Sequence, residues 1–256
     1  MTRAAVIGAA GRMGRQVIEA IAEDPELELA AAIDRTQHPD LGQQISGGVA
    51  LSDTLDVADA FEVAIDFSLP ESTAALADYA AGRGLPLVVA TTGLSDEQER
   101  RVRDAARRTA IVWAPNFSLG VNVLMRLVEQ AARQLEGYHV DVLELHHGQK
   151  VDAPSGTALA LGRIVAETRG QDFAGQAVYT RQGHTGVRDP DAIGMQTLRL
   201  GDAPGEHTVF FAGPGERIVL TSRALTRAGF ARGACRAARW VVGRPEGLYS
   251  MRDVLA

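Results

Sequence analysis

The densest chemistry in the chain lies between Glu144 and Ala158, which reads Glu-Leu-His-His-Gly-Gln-Lys-Val-Asp-Ala-Pro-Ser-Gly-Thr-Ala. It joins two adjacent histidines, His146 and His147, to Lys150, and Pro154-Ser155 then leads into a helical pattern over Ala158–Ala166. A histidine that titrates near neutrality can give or take a proton. An ammonium can pair with an anion or donate a proton, which a guanidinium effectively cannot. The backbone amides of Gly156 and Thr157, at a helix start, can bind a carboxylate. Together these groups describe a pocket for a small acid that gains a proton. Composition singles out the lysine, because 25 of the 26 basic residues are Arg and Lys150 is the only Lys. Two explanations stay open: a codon bias that left one lysine, or a position that needs an ammonium. No metal site is expected, since adjacent residues on an extended strand point to opposite faces and no nearby Cys or His pair has ligand spacing.

The second candidate site is the turn Gly8-Ala9-Ala10-Gly11-Arg12-Met13-Gly14. Its glycines follow G-x-x-G-x-x-G, and the commoner G-x-G-x-x-G is absent. The physical demands are the same: a tight turn, close backbone approach to a pyrophosphate, and a helix N-terminus aimed at the anion. Asp34, at the end of the next predicted strand, can accept hydrogen bonds from the ribose hydroxyls of NAD, while Arg35 can instead hold the 2′-phosphate of NADP. The loops Ala90-Thr91-Thr92 and Ala114-Pro115-Asn116-Phe117 each follow a predicted strand. Ligands of open α/β sheets bind beyond the carboxyl ends of the strands, so both loops are placed for the nicotinamide end. His184 and His207 either contact substrate or satisfy the sheet, and His38 and His139 read as surface or loop residues.

The elements that carry these residues follow from periodicity. Short apolar runs at Arg3–Ile7, Leu27–Ile33, Val63–Phe67, Leu87–Ala90 and Ala110–Trp113 alternate with helical patterns. Ser68 with Glu71, and Ser95 with Gln98, have the spacing of capping boxes opening two of those helices. The segment 36–59 is irregular. Strand–helix alternation implies a Rossmann-like, doubly wound parallel sheet. After Phe117 the pattern changes to a long helix, Val121–Leu135, and strand-like stretches Gln196–Leu200, Glu206–Ala212 and Glu216–Ser222 separated by turn residues. These predict a second α+β domain with a mixed or antiparallel sheet. The expected division is a dinucleotide-binding domain over 1–117, completed by 228–256, and a substrate-binding and oligomerisation domain over 118–227. The helix at Phe230–Val242 is expected to pack back on the first domain.

Composition bounds the partners. The chain has 256 residues, 46% of them hydrophobic and 23% charged, which supports a buried core and excludes general disorder. A net charge of -6 argues against a nucleic-acid footprint. No apolar run approaches the ~18 residues of a membrane span. The apolar start is too short for a signal peptide, and Cys235 is the only cysteine, so a reducing, cytoplasmic setting is expected.

The central motif resembles the signature of the dihydrodipicolinate (4-hydroxy-tetrahydrodipicolinate) reductases. The resemblance runs nearly the full length, through Gly8–Gly14, Asp66-Phe-Ser-x-Pro-Glu71, Thr91-Thr-Gly93, Asn116-Phe-Ser-x-Gly-Val-Asn122, Arg181-x-Gly-His-Thr-Gly186, Gly205-Glu-His-Thr208 and Gly247–Asp253. It implies hydride transfer from NADH or NADPH to a cyclic dicarboxylate on the diaminopimelate route to lysine. It also implies His146 as the acid/base residue and Lys150 as the proton donor, with His147, Gly156 and Thr157 on the substrate carboxylates. Gly8–Met13, Asp34, Arg35, Ala90–Thr92 and Ala114–Phe117 would line the cofactor, and a cytoplasmic homotetramer is implied. Ala90 stands where many relatives carry Gly, and Leu69 where Arg or Lys is frequent.

Other enzymes share this layout. An aldehyde dehydrogenase of the aspartate-semialdehyde type needs a nucleophilic cysteine, and Cys235 falls in the terminal helix. A sugar or inositol dehydrogenase would present Glu-Lys-Pro, which is absent. A non-catalytic NAD(P)H sensor on the same fold predicts a decayed second site, whereas His146, His147, Lys150 and Gly156-Thr157 are all intact.

Overall fold

The computed structural model describes residues 1–55 and 61–256. The irregular stretch 36–59 therefore lies partly outside the described residues. The chain divides into two units, Met1–Ser118 with Arg227–Ala256, and Leu119–Thr226.

The first unit begins with β1 (Thr2–Ile7), α1 (Arg12–Glu23), β2 (Leu27–Ile33), the short hairpin β3 (Gln44–Ser46) and β4 (Val49–Ser52), and β5 (Val63–Asp66). It continues through α2 (Pro70–Arg83), β6 (Leu87–Val89), α3 (Asp96–Ala105) and β7 (Ala110–Trp113). The second unit holds α4 (Leu119–Gln134), β8 (His139–His146), α5 (Gly156–Thr168), α6 (Phe173–Gln176), β9 (Ala177–Val178), β10 (Ile193–Arg199), β11 (Gly205–Gly213) and β12 (Glu216–Ala224). The chain then returns to the first unit as α7 (Ala228–Val241), β13 (Gly247–Tyr249) and α8 (Met251–Val254).

Among the described residues the first unit's sheet runs β13-β7-β6-β5-β1-β2-β4-β3, parallel except for the β3–β4 hairpin. This is the Rossmann-like architecture expected from the alternating pattern. Its strands are short and almost wholly apolar because helices cover both faces. Ile7, Ile33, Leu87, Val89 and Ile111 pack with Leu76, Ala77 and Ala80 of α2 and Val102 of α3. On the other face α7 meets α1, β5, β6 and β7. β1 pairs with β2 on one side and β5 on the other. Chain order reverses there, so a crevice opens beyond the carboxyl ends of β1 and β5.

One cap differs from expectation. Ser95 and Gln98 form the reciprocal capping box of α3, but α2 is capped at Leu69 without a side-chain bond. Ser68 turns its hydroxyl to Asp66 Oδ1 at 2.5 Å. Asp66 is fully buried and also accepts from Thr73 Oγ1 at 2.5 Å and Thr91 Oγ1 at 3.2 Å. A buried carboxylate outcompetes a solvated helix end for the hydroxyl, because an unsatisfied buried charge costs more than an uncapped helix.

The second unit's sheet runs β12-β11-β8-β10-β9 and is mixed: β8 is parallel to β10 and antiparallel to β11. Val140 and Val142 of β8 point into a core with Leu124 and Val128 of α4 and Leu161 and Val165 of α5. Side chains alternate along a strand, so Glu144 and His146 continue that same face past the end of the apolar core. The central strand β8 carries both, and periodicity alone does not separate it from its surroundings.

Candidate active site

In the first unit, the turn after β1 is locked from several sides. Gly8 has φ +76°, and a Cβ there would lie 2.7 Å from the carbonyl oxygen of Phe67. A Cβ on Gly14 would lie 2.1 Å from the carbonyl oxygen of Gly8. Both positions thus require glycine, and α1 starts hard against the turn with no side-chain cap on its amides. Asp34 reaches back from the end of β2: its Oδ2 accepts from Ala10 N at 2.9 Å and its Oδ1 from Arg35 N at 2.8 Å. Sequence position suits Asp34 to a ribose. The structure adds that this carboxylate also holds the turn, with lone pairs left over for hydroxyl donors.

Gly8, Ala10, Gly11, Asp34 and Arg35 line one cavity of about 630 Å³. His38, read from sequence as a surface or loop residue, lines it too, with an apolar wall from Leu55, Leu69, Leu76 and Tyr79. Nothing in the sequence points to that wall, since it assembles from α2 and the segment after β4. A backbone-only turn, an uncapped helix N-terminus, a fixed acid and an apolar slot fit the pyrophosphate, ribose and adenine of a dinucleotide. The remaining candidates lie outside that lining. Ala9 is fully buried, Met13 half-buried and Arg12 exposed. Ala90, Thr91 and Thr92 follow β6, with the Thr91 hydroxyl engaged by Asp66. Ala114, Pro115, Asn116 and Phe117 follow β7. The Asn116 side chain accepts from Ser118 N at 2.8 Å, and the Phe117 ring is buried beside Phe67.

In the second unit the geometry centres on Glu144. This residue is fully buried. Its Oε1 accepts from Arg199 Nη2 at 2.8 Å, Thr197 Oγ1 at 3.1 Å and Ser155 N at 3.1 Å. Its Oε2 meets Arg199 Nη1 at 2.9 Å and His146 Nδ1 at 2.5 Å. Burial pushes the carboxyl up, but the bonds from Arg199, His146 and Ser155 outweigh it and hold Glu144 below the usual carboxylate range. Burial also holds His146 below the ordinary histidine value, even with Glu144 attached. The pair is therefore an ionised carboxylate and a neutral imidazole near neutral pH.

Register explains the assembly. Thr197 and His207 flank Glu144 on β10 and β11, and Arg199 stands beside His146. His207 is buried, with Nε2 at 3.0 Å from Ser155 Oγ and its ring edge-on to His146 at 5.2 Å. Burial, with His146 nearby, pushes His207 down to about 4. Its partner is thus a side chain of the β8–α5 connection rather than of the sheet. Ser155 caps α5, accepting from Ala158 N at 3.1 Å. Gly156 and Thr157 thus occupy the first two helical positions of α5.

Lys150 sits in the loop between β8 and α5, with Nζ donating to Asp152 Oδ1 at 2.8 Å. Its charge is close enough to bear on His146. His147 follows directly on the end of β8, and its Nδ1 is buried with no partner among the described residues. The structure thus gathers His146, His147, Lys150, Gly156 and Thr157 around one strand end. Glu144, Arg199, Ser155 and Thr197 complete the cluster and are not singled out by sequence. Glu144, two residues before His146 on a strand, has a legible signal; Arg199 and Thr197 arrive through sheet register. His184 stays in an exposed loop. Cys235 is buried and its thiol is pushed up to about 12 by burial, which removes it as a nucleophile.

Residues 2–117 match the family described as dihydrodipicolinate reductase, N-terminus, and residues 120–255 its C-terminus counterpart. The chain is 49% identical to the 4-hydroxy-tetrahydrodipicolinate reductase of Halorhodospira halophila, over 98% of this chain and 97% of that protein. It is 48% identical to the enzyme of the same name from Thiobacillus denitrificans, over 99% and 98%. Among solved structures, the dipicolinate-bound dihydrodipicolinate reductase of Paenisporosarcina sp. TG-14 superimposes with a TM-score of 0.80 at 25% identity, covering 98% of this chain and 97% of that one.

Proposed function

The chain belongs to the dihydrodipicolinate reductase family, and we propose that His146 and Lys150 handle the proton its reaction adds to the substrate. The reaction is the net reduction of 4-hydroxy-tetrahydrodipicolinate to tetrahydrodipicolinate, in which a hydride and a proton are added and the 4-hydroxyl leaves as water. When bound, NADH or NADPH supplies the hydride. The chain's own task is to hold a dianionic ring and to cap with a proton the electron pair that hydride addition displaces into it.

The observation that carries this reading is the His146 environment: Nδ1 is tied to Glu144, Nε2 has no protein partner among the described residues, and Lys150 is nearby. A dicarboxylate entering beside His146 favours the imidazolium, so Nε2 becomes able to deliver a proton. Lys150 brings the second transferable proton and pairs with a substrate carboxylate in place of Asp152. The N-terminus of α5 at Gly156 and Thr157, together with His147, would receive the carboxylates, as anions favour helix N-termini. Gly8, Ala10, Gly11, Asp34 and Arg35 would hold the pyrophosphate and adenosine. The loops at Ala90–Thr92 and Ala114–Phe117 would serve the nicotinamide end. On this reading residues 1–117 with 228–256 bind the cofactor, and 118–227 bind substrate and carry self-association.

The product leads to diaminopimelate and lysine. No helix of the described residues is long and apolar enough to cross a membrane, and we place the enzyme in the cytoplasm. A homotetramer is proposed for the second unit's sheet. Its face opposite Val140 and Val142 leaves Leu198 at 40% and Val219 at 45% exposure, apolar surface that a partner subunit would cover.

The test is a coupled assay in which pyruvate and aspartate semialdehyde are condensed by the preceding synthase, with NADH and NADPH run in parallel. Synthase-dependent nicotinamide oxidation is expected. Tight cofactor binding with no such oxidation would overturn the reading.

A further inference from the structure

We propose that Arg199 and Glu144 act as a positioning pair that holds His146 with its proton on Nδ1 and its Nε2 toward the substrate. This rests on the proposed role of His146 and extends it to two residues outside the 144–158 motif's histidines and lysine.

The geometry leaves little freedom. Glu144 is fully buried, and a carboxylate offers about four lone-pair directions. Arg199 takes one on each oxygen in a two-pronged grip, at 2.9 and 2.8 Å. Thr197 Oγ1 and Ser155 N share Oε1, both at 3.1 Å. What remains is Oε2, facing His146 Nδ1 at 2.5 Å. An ionised carboxylate only accepts, so Nδ1 must carry the hydrogen and a neutral ring must leave its lone pair on Nε2. Without Arg199 the burial of Glu144 would favour its protonated form, which no longer dictates the tautomer.

Arg199 has a second grip. Its Nη2 donates to the carbonyl oxygen of Asp152 at 2.7 Å, in the loop that carries the Lys150–Asp152 pair. One guanidinium therefore sets both the histidine and the loop of the lysine. The other ionisable groups around His146 do not undo this. His207, edge-on from β11, is neutral at working pH, and Lys150 disfavours the imidazolium until an anion arrives. His147 lies just past the end of β8 and has no bond to Glu144 or His146 among those described, and Asp152 is engaged by Lys150. A salt bridge that merely tied β8 to β10 would hold the fold but would not need to govern which histidine nitrogen is protonated.

The test begins on the full-length, ligand-free protein labelled with 15N-histidine, the His146 signals being assigned by their loss in His146→Gln. Long-range 1H–15N correlations at pH 7.5 should show His146 as the Nδ1–H tautomer. A wild-type His146 in the Nε2–H form would overturn the proposal, and this holds even if every variant below failed to fold. Glu144→Gln should lose the tautomer preference and lower kcat on the order of 100-fold, with KM changed less than about threefold. Its pH profile should shift to the acid side for the limb set by His146, because the carboxylate that raises the imidazole is gone. Arg199→Met should bring in a separate acid limb, at higher pH, set by protonation of Glu144 itself, and Arg199→Lys should restore most of the rate. Wild-type kcat and pH profile in both Glu144→Gln and Arg199→Met would overturn the pairing. If the tautomer is as stated but wild-type protein shows no synthase-dependent turnover, the reductase reading fails and the positioning pair stands.

Discussion

A Cβ placed on Gly205 would lie 2.9 Å from Nε2 of His146. The imidazole nitrogen that Glu144 does not engage therefore opens onto space that exists because residue 205, at the start of β11, has no side chain. Filling it should disturb the chemistry more than the fold. Gly205→Ala is expected to lower kcat about tenfold or more, since even a 1 Å misplacement of a reacting group is costly, and to destabilise the protein by about 1–3 kcal/mol. Steady-state kinetics alongside urea unfolding would separate the two. Unchanged turnover would mean that the proton does not move through this space.

Lys150→Arg keeps the positive charge but removes the compact, readily transferred proton. A fall in turnover of about 100-fold is expected, with NADPH affinity near normal by fluorescence titration. A variant that turns over like wild type would return the lone lysine to an accident of composition.

Stability should follow pH through Glu144. Its folded pKa lies below the ordinary value, so its contribution is fully present above about pH 4.3 and is lost as pH falls through the folded pKa. In Arg199→Met, burial prevails and the carboxyl titrates above its unfolded value. The sign reverses, and the variant loses stability as pH rises from about 4.3 toward neutrality, by about 3–5 kcal/mol relative to wild type. Urea unfolding from pH 4 to 8 checks this; a constant offset between the two proteins across that range would remove Glu144 as its source.

Asp34 should discriminate between cofactors. Its carboxylate is fixed by Ala10 N and Arg35 N, so its charge cannot swing away from a 2′-phosphate. Asp34→Asn is expected to raise NADPH affinity relative to NADH by about tenfold, the value of roughly 1 kcal/mol or slightly more between nearby charges in a wet site. Binding titrations with both cofactors would show it. Equal losses for the two would mean that Asp34 matters only for holding the turn.

Much of this protein is legible in its amino-acid sequence. The alternation of apolar runs and helical patterns up to Trp113 is local, and helices on both faces leave the parallel strands apolar throughout, so β1, β2, β5, β6 and β7 are readable within a residue. The Gly8–Gly14 turn and the Glu144–Ala158 motif are contiguous, and their chemistry rests on residue type and spacing. The Ser95–Gln98 capping box is local too. The Ser68–Glu71 pair fails as a box because Asp66 competes for the serine hydroxyl, and that competition depends on Asp66 being buried.

What tertiary structure alone decided is the set of partners that pairing brings in from far along the chain. Arg199 and Thr197 reach Glu144 because β10 runs parallel to β8 in one register, and Gly205 faces His146 through β11. Register between distant strands is set by packing of whole faces, and shifting it by one residue would turn every one of these side chains away. The sequence determined which groups can hold an anion and move a proton. The sheet decided that a buried carboxylate, gripped by an arginine 55 residues later, sets the hydrogen on the histidine.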